Sequence, residues 1–338
     1  MKPSVVRLLA CPACRAPLAL VDDGLPSTDA EVEHGELRCD SCGRTYPIRG
    51  GIPSFVHDAD RSSHVAKSFG FEWQTFHDGG FESETVFGRT INEDMEQFDV
   101  VFALPQVVGG EPDALAGLLV IDAGCGSGML TAEIARRHPE ATVIGLDINP
   151  AVAEVYKVSL ELPNLHVLHA SVFDLPFADG TVDRLWCNGV IHHTGDTRGA
   201  FVELARVVGR GGLLFVWVYQ RKLSPLVLVR DLLRPFGIHR WPHSVLYFVC
   251  RALALPTFAA VQALRQVGKI PRVARSTHGR ILTRDRHLDE LALTWFDVLS
   301  PRYRDSYSKA EVETWFVRAG YTDLRHYWWP VGVTGRRA

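Results

Sequence analysis

Leu118-Leu119-Val120-Ile121-Asp122-Ala123-Gly124-Cys125-Gly126-Ser127-Gly128 is the stretch that decides how this 338-residue chain is read. A short β-branched and leucine run breaks into alternating glycines, and Met129-Leu130-Thr131-Ala132-Glu133-Ile134-Ala135 then resumes with helical spacing. That order predicts a buried strand, a tight turn and a helix N-terminus. The glycines let the backbone take positive φ and let a ligand come close, while the N–H groups of the first helical turn attract polar or anionic groups. Such a turn suits a nucleotide-type cofactor. Asp122 adds a carboxylate, which favours an ammonium or hydroxyl over a pyrophosphate that it would repel. Dinucleotide-binding folds share the glycine turn, so the neighbouring segments carry the decision.

Downstream, Ala141-Thr142-Val143-Ile144-Gly145-Leu146-Asp147 is a second strand ending in an acid, nineteen positions past Gly128. One helix and one strand fill that distance. Asp147, with Ile148 after it, therefore reaches the sheet edge of the glycines, where its carboxylate is placed to take both hydroxyls of a ribose. Both cofactor readings survive this step. A third strand at residues 165–170 runs into Ser171-Val172-Phe173-Asp174-Leu175-Pro176-Phe177, and a fourth, Thr181-Val182-Asp183-Arg184-Leu185-Trp186-Cys187-Asn188, runs into Gly189-Val190-Ile191-His192-His193. Residues 198–208 are an amphipathic helix that Gly209 is expected to cap, followed by the strand Leu213 to Tyr219. Ser308-Lys309-Ala310-Glu311 reads as a capping box opening a helix that Gly320 stops, and residues 321–327 and 331–337 supply two last strands.

The glycine turn, and the order Asp174-Leu175-Pro176-Phe177 then Val182-Asp183-Arg184-Leu185, resemble the class I S-adenosylmethionine-dependent methyltransferases, the ubiquinone-type and related small-molecule enzymes among them. Dehydrogenases do not show that order. The resemblance implies an α/β fold, a Rossmann-like seven-stranded sheet, with S-adenosylmethionine as methyl donor. It implies a donor site of Asp122, Gly124, Cys125, Gly126, Gly128, Asp147, Ile148, Ser171, Val172 and Asn188, with Trp73 from an aromatic N-terminal helix that folds over the donor. Family members commonly carry an acid where Ser171 stands. Either Ser171 makes the hydrogen bond to the adenine amino group or Asp174 reaches round to it, with the Val172 N–H meeting the ring.

His192 and His193 follow the fourth strand at the edge where the donor's methyl should lie, and a histidine titrates in the range that general base work needs. Consecutive histidines are expected to point apart, so that one faces the acceptor. Tyr219, His287, Tyr303 and Tyr307 are further candidates for acceptor contacts. The expected activity is methyl transfer to a small-molecule or lipid-like acceptor at oxygen. The alternatives are a tRNA or rRNA acceptor, or a non-catalytic scaffold that binds a partner.

Cys11-Pro12-Ala13-Cys14 and Cys39-Asp40-Ser41-Cys42 are paired C-x-x-C knuckles, each offering two thiolates from a tight turn. Four such sulfurs make the closed tetrahedral shell of a structural zinc site. With Leu8-Leu9-Ala10 before the first knuckle and Arg44-Thr45-Tyr46-Pro47-Ile48 after the second, the segment is similar to the Trm112-like zinc ribbon. Asp22, Asp23, Asp29, Glu31, Glu33 and Glu36 between the knuckles would repel phosphates, which argues for a scaffold and against an RNA contact.

The expected domains are a ribbon at 1–57, a helical linker and donor-site lid at 58–112, the donor-binding core at 113–219, a helical insertion capping the acceptor at 220–290, and completion of the sheet at 291–338. Phe69, Trp73 and Phe76 share one face of a helix, and residues 90–101 form a second, acidic-faced one. In the insertion, residues 223–236 and 244–267 are apolar with single arginines, and Arg272, Arg275, Arg280, Arg284 and Arg286 follow. Its helices are expected to turn an apolar wall to the acceptor and their arginines outward. Basic amphipathic helices also leave peripheral membrane contact and RNA open.

A net charge of −3 gives no general pull towards nucleic acid or anionic membrane. Seven cysteines are too few for a disulfide scaffold, and no leader opens the chain, so the expected setting is the reducing cytoplasm. An arginine deep in residues 244–264 argues against a transmembrane span. Oligomeric state is not legible.

Overall fold

The computed structural model describes residues 1–21, 31–57, 63–78, 85–86, 89–104, 113–221, 225–266, 288–327 and 331–338. Asp22, Asp23, Asp29, Arg272, Arg275, Arg280, Arg284, Arg286 and His287 lie outside the described residues. The chain divides into two compact units, the first made of Met1–Ala66, Gln97–Gln220 and Tyr303–Ala338, the second of Lys67–Glu96 and Arg221–Arg302.

In chain order, the ribbon is an antiparallel sheet of β1 (Ala19–Val21), β2 (His34–Arg38), β3 (Thr45–Arg49) and β4 (Ile52–Pro53). Helix α1 (His64–Asp78), the short pair β5 (Thr85–Val86) and β6 (Arg89–Thr90), and helix α2 (Ile91–Phe102) follow. Strand and helix then alternate: β7 (Leu119–Ala123), α3 (Met129–Arg137), β8 (Thr142–Asp147), α4 (Val152–Ser159), β9 (Leu165–His169), β10 (Val182–Asn188), α5 (Thr197–Val207) and β11 (Val208–Trp217). Helices α6 (Pro225–Leu233), α7 (His243–Gln266) and α8 (Leu288–Leu299) precede α9 (Lys309–Arg318), β12 (Tyr321–His326) and β13 (Gly332–Arg337).

The large sheet has the order β12-β13-β11-β10-β7-β8-β9. Its central strands are parallel, and β13 runs antiparallel to both β11 and β12. Every residue of β7 is buried, as expected of a strand covered on both faces. Trp186 of β10 stacks on Phe215 of β11 with ring centroids 4.3 Å apart, and Phe98 and Phe102 of α2 pack on the same ring. A fully buried aromatic of this size is worth about 3–5 kcal/mol against alanine. Ser308 and Glu311 form the expected capping box at α9.

Gly209 does not cap α5. Asp196 caps the helix N-terminus by accepting from the Gly199 N–H, but at the other end the chain turns at Val208 straight into β11. A Cβ on Gly209 would lie 2.5 Å from the Gly180 carbonyl oxygen, so this glycine serves close backbone approach and not a left-handed cap.

The ribbon closes the exposed edge of the large sheet. Ser54 bridges His169 of the edge strand β9 in parallel, the Phe55 N–H donates to the His169 carbonyl at 2.8 Å, and the Ala10 N–H donates to that of Pro176 at 2.9 Å. Lys2 Nζ donates to the carbonyls of Ser159, Leu162 and Leu165 at 2.6–2.9 Å, tying the N-terminus to the connection between α4 and β9. Covering an edge strand removes a template for unwanted pairing. Leu9, Leu37, Ile48 and Phe55 of the ribbon share one hydrophobic core with Leu168, Leu175 and Phe177.

In the second unit, Leu246, Cys250 and Ala254 of α7 pack on Leu291, Ala292, Trp295 and Phe296 of α8, with Phe71 of α1 against them. On the opposite face of α7, Val245, Phe248 and Leu255 are exposed, and Arg251, exposed as expected, pairs with Asp289 at 3.0 Å, so the described outward surface is apolar beside its arginine. On α1, Glu72 is buried with neither carboxylate oxygen partnered. Burial, with the Asp297 charge adding to it, pushes that carboxyl well above its ordinary range.

Candidate active site

The C-terminal ends of β7, β8, β9 and β10 bring most of the expected donor-site residues to one edge of the first unit. Positive φ at Gly124, Gly126 and Gly128 makes the turn after β7. A Cβ would strike Val190 from Gly124 and Val155 from Gly128, so the turn needs glycine for packing as well as for conformation. Asp147, at the end of β8, is joined directly to that turn. Its Oδ2 accepts from the Gly126 N–H at 2.9 Å and its Oδ1 from the Asn149 N–H at 3.0 Å. Burial raises its pKa, against the pull of these N–H donors. Asp122 Oδ2 accepts from Thr131 Oγ1 at 2.6 Å, which fixes the first acid from the helix that follows the turn. Cys125 remains a thiol, since burial and then the Asp147 and Asp122 charges push its pKa well up.

Ile148 is half-buried, and its carbonyl oxygen lies 2.8 Å from His169 Nε2. Ser171 is buried, its Oγ accepting from the Phe173 N–H at 3.2 Å, and the Asp174 N–H donates to the Ser171 carbonyl. Val172 is buried beside it, and Asn188 is exposed at the end of β10. Trp73 lies on α1 in the second unit, edge-on to Phe76 at 5.9 Å. Asn149, wholly buried with its Nδ2 unpartnered, was not foreseen. These residues fit a donor with a ribose and a charged amino-acid end: a buried acid beside a glycine turn, backed by a second acid.

The histidines after β10 do not point apart. They sit in a single 3₁₀ turn, Ile191–His193, with ring centroids 4.3 Å apart, the two rings turned towards each other by their side-chain rotamers and not by the spacing of the turn. The His192 ring is wholly buried, 4.1 Å from the Tyr219 ring and 5.7 Å from that of Trp217, and neither of its nitrogens has a partner. Burial, then the His193 and Arg304 charges, hold its pKa well below the ordinary histidine value, so it is neutral. His193 Nδ1 lies 3.0 Å from the Tyr303 carbonyl oxygen.

Sequence reasoning missed Arg304. Its guanidinium lies 3.7 Å from the Tyr219 ring centroid, its Nε is buried without a partner, and no carboxylate pairs with it among the described residues. Asp305, next in sequence, is engaged by Thr197 Oγ1 at 3.0 Å and the Tyr307 hydroxyl at 3.4 Å. Arg304 falls in an irregular stretch with no periodicity or motif, so no pattern signalled it. Tyr219 was a candidate and is at the centre of this cluster.

In the ribbon, one sulfur from each of Cys11, Cys14, Cys39 and Cys42 lies within 4.8 Å of all the others, with Cys11 to Cys42 at 3.6 Å and Cys14 to Cys39 at 3.4 Å. A tetrahedral zinc–thiolate site with bonds of about 2.3 Å needs sulfurs about 3.8 Å apart, so the cluster fits the ion. Burial alone would raise the Cys11 thiol, but the Tyr46 hydroxyl and the backbone groups of Cys14 and Ala13 bring it down to about 6.

Residues 121–216 match the methyltransferase domain family, and residues 2–51 match the Trm112p-like protein family. The chain carries an S-adenosylmethionine-dependent methyltransferase domain and a Trm112-like domain. This methyltransferase is 25% identical over 287 residues to an uncharacterized chloroplastic methyltransferase of Arabidopsis thaliana, covering 76% of each chain. It is 29% identical over 144 residues to a malonyl-[acyl-carrier protein] O-methyltransferase of Methylovorus sp., over 40% of this chain and 45% of that one. Magnesium protoporphyrin IX methyltransferase from Synechocystis, solved with bound S-adenosylhomocysteine, aligns with a TM-score of 0.45 at 17% identity, over 82% of this chain and all of that one.

Proposed function

We propose that this methyltransferase transfers the methyl group to an anionic oxygen of a small or lipid-like acceptor, a carboxylate above all. The observation that carries the reading is the Arg304 guanidinium on Tyr219, with no protein carboxylate paired to it among the described residues, beside a neutral buried His192 and the Trp217 ring. Aromatic walls suit an apolar body, and an uncompensated guanidinium suits a carboxylate, which it can bind bidentately. A carboxylate arrives ionised, so no base has to take a proton. Its oxygen attacks the methyl carbon in line, the carbon–sulfur bond breaks, and the sulfonium leaves as a neutral thioether while a methyl ester forms. The protein's part is to position the two partners and keep water out. In this reading His192 and His193 orient the acceptor.

On the donor side, Asp147 is assigned to the ribose hydroxyls, Asp122 and the turn of Gly124, Cys125, Gly126 and Gly128 to the methionine end, and Ile148, Ser171 and Val172 to the adenine side. The four ribbon cysteines are assigned one zinc, whose chemistry is to fix the fold of the ribbon that seals the β9 edge. The test of the acceptor class is incubation with labelled donor and separated RNA, lipid and polar-metabolite fractions. Label in a lipid or carboxylic-acid fraction is expected, and label confined to RNA would overturn the reading in favour of a tRNA or rRNA acceptor.

A further inference from the structure

Seven of the thirteen large apolar side chains exposed among the described residues fall between Leu228 and Leu255 in the second unit: Leu228, Leu232, Phe236, Trp241, Val245, Phe248 and Leu255. On α7 they form one stripe. Val245, Phe248, Ala252, Leu255 and Ala259 are exposed at helical spacing, while Leu246, Cys250 and Ala254 are buried against α8. Helix α7 is thus apolar on both sides, and among the described residues only the inner side has a protein partner. Residues 243–260 reach a mean hydropathy of 1.3, yet one side of the helix is committed to packing within the unit. A helix so anchored cannot span a bilayer without abandoning that core. It can lie along the boundary between headgroups and acyl chains, with its outer stripe immersed.

Charge selects the occupant. Residues 221–302 contain 14 Lys and Arg against 5 Asp and Glu, although the whole chain carries a net charge of −3. Arg234 and Arg240 stand within two residues of Phe236 and Trp241, which gives these connecting turns the arginine and aromatic pairing of a membrane-interface anchor. Two copies of so basic a segment repel each other, whereas anionic headgroups attract it. We infer that the outer face of α7, with the turns before it, docks this methyltransferase on an anionic lipid surface. This does not rest on the acceptor reading above and holds whichever atom is methylated.

The test is co-sedimentation of the full chain with vesicles of mixed phosphatidylglycerol and phosphatidylcholine, and with phosphatidylcholine alone. The parent should bind the anionic vesicles at least tenfold more tightly than the neutral ones. Phe248→Glu with Leu255→Glu should lower that binding at least tenfold while leaving donor affinity, measured by calorimetry, unchanged. Val317→Glu, at an exposed apolar residue of the first unit, should leave vesicle binding as it was. Absence of vesicle binding by the parent would overturn the inference. So would equal loss from Val317→Glu, or a parent that self-associates through Phe248 and Leu255 without binding lipid.

Discussion

The two ends of the candidate site treat their buried polar groups in opposite ways. At the donor end both Asp147 oxygens accept backbone N–H groups and Asp122 is held by Thr131, Asn149 Nδ2 being the exception. At the acceptor end both His192 nitrogens and Arg304 Nε lack hydrogen-bond partners among the described residues. A buried polar atom without a partner costs about 1–3 kcal/mol, so this region gives up stability that a bound acceptor would restore. On the proposed reading the donor end is largely satisfied by the protein, and the acceptor end is left for its ligand. The lesson is that the proposed donor half of the site is held by backbone hydrogen bonds, while the proposed acceptor half is left open chemically.

The largest effect that would sharpen this contrast is at Asp147. Replacing it with alanine removes the acceptor of two backbone N–H groups and, on the present reading, of the ribose hydroxyls. Donor affinity by calorimetry should fall by about 3 kcal/mol, more than a hundredfold, with acceptor affinity little changed. Next comes Arg304→Gln, which should raise the KM for a carboxylate acceptor by roughly ten- to a hundredfold, the loss of about 1.5–3 kcal/mol expected of a charged hydrogen bond, and leave donor affinity intact. If Arg304→Gln weakened donor binding instead, the division between the two ends would fail.

His192→Phe is the sharper probe, because it should move stability and activity in opposite directions. Thermal unfolding should rise or hold, by up to about 1 kcal/mol, as two unpartnered nitrogens leave the core, while acceptor kcat/KM falls about tenfold. The smallest effect is in the pH profile. A His pKa lowered by burial leaves the ring neutral above that lowered value, so nothing at His192 titrates as pH falls from about 8 to 6. With an acceptor already ionised, kcat/KM should be level across that range. A tenfold loss per pH unit setting in near the ordinary histidine value of about 6.5 would reinstate a histidine base.

Local chemistry made the geometry of the proposed donor end legible. A glycine turn after a β-branched run, and an acid one helix and one strand later, are constraints that act within a few dozen residues, and they led to Gly124, Gly126, Gly128 and Asp147. The paired knuckles disclosed the ribbon for the same reason, as did Ser308 and Glu311 for α9. What remained hidden depends on contacts distant in sequence. Arg304 reaches Tyr219 across 85 positions, and nothing in its own neighbourhood announces that meeting. The adjacency of His192 and His193 was misread because backbone spacing separates successive side chains, and the ring contact depends on side-chain rotamers that the sequence does not carry. Gly209 was misread because a glycine after a helix signals a cap, when here it allows the Gly180 backbone to approach. The apolar outer stripe of α7 was in the sequence, but which side of the helix found α8 was not.

The measurement that bears most directly on the account is the chemical nature of the product bond. Enzyme, donor labelled in its methyl group and the lipid and carboxylic-acid fractions should yield a labelled product that mild alkali converts to volatile labelled methanol, as a methyl ester must. Arg304→Gln should lower the yield in proportion to its effect on KM. Label that survives alkali, as in a methyl ether or a methylated nitrogen or carbon, would contradict the claim that the unpartnered guanidinium awaits an acceptor carboxylate.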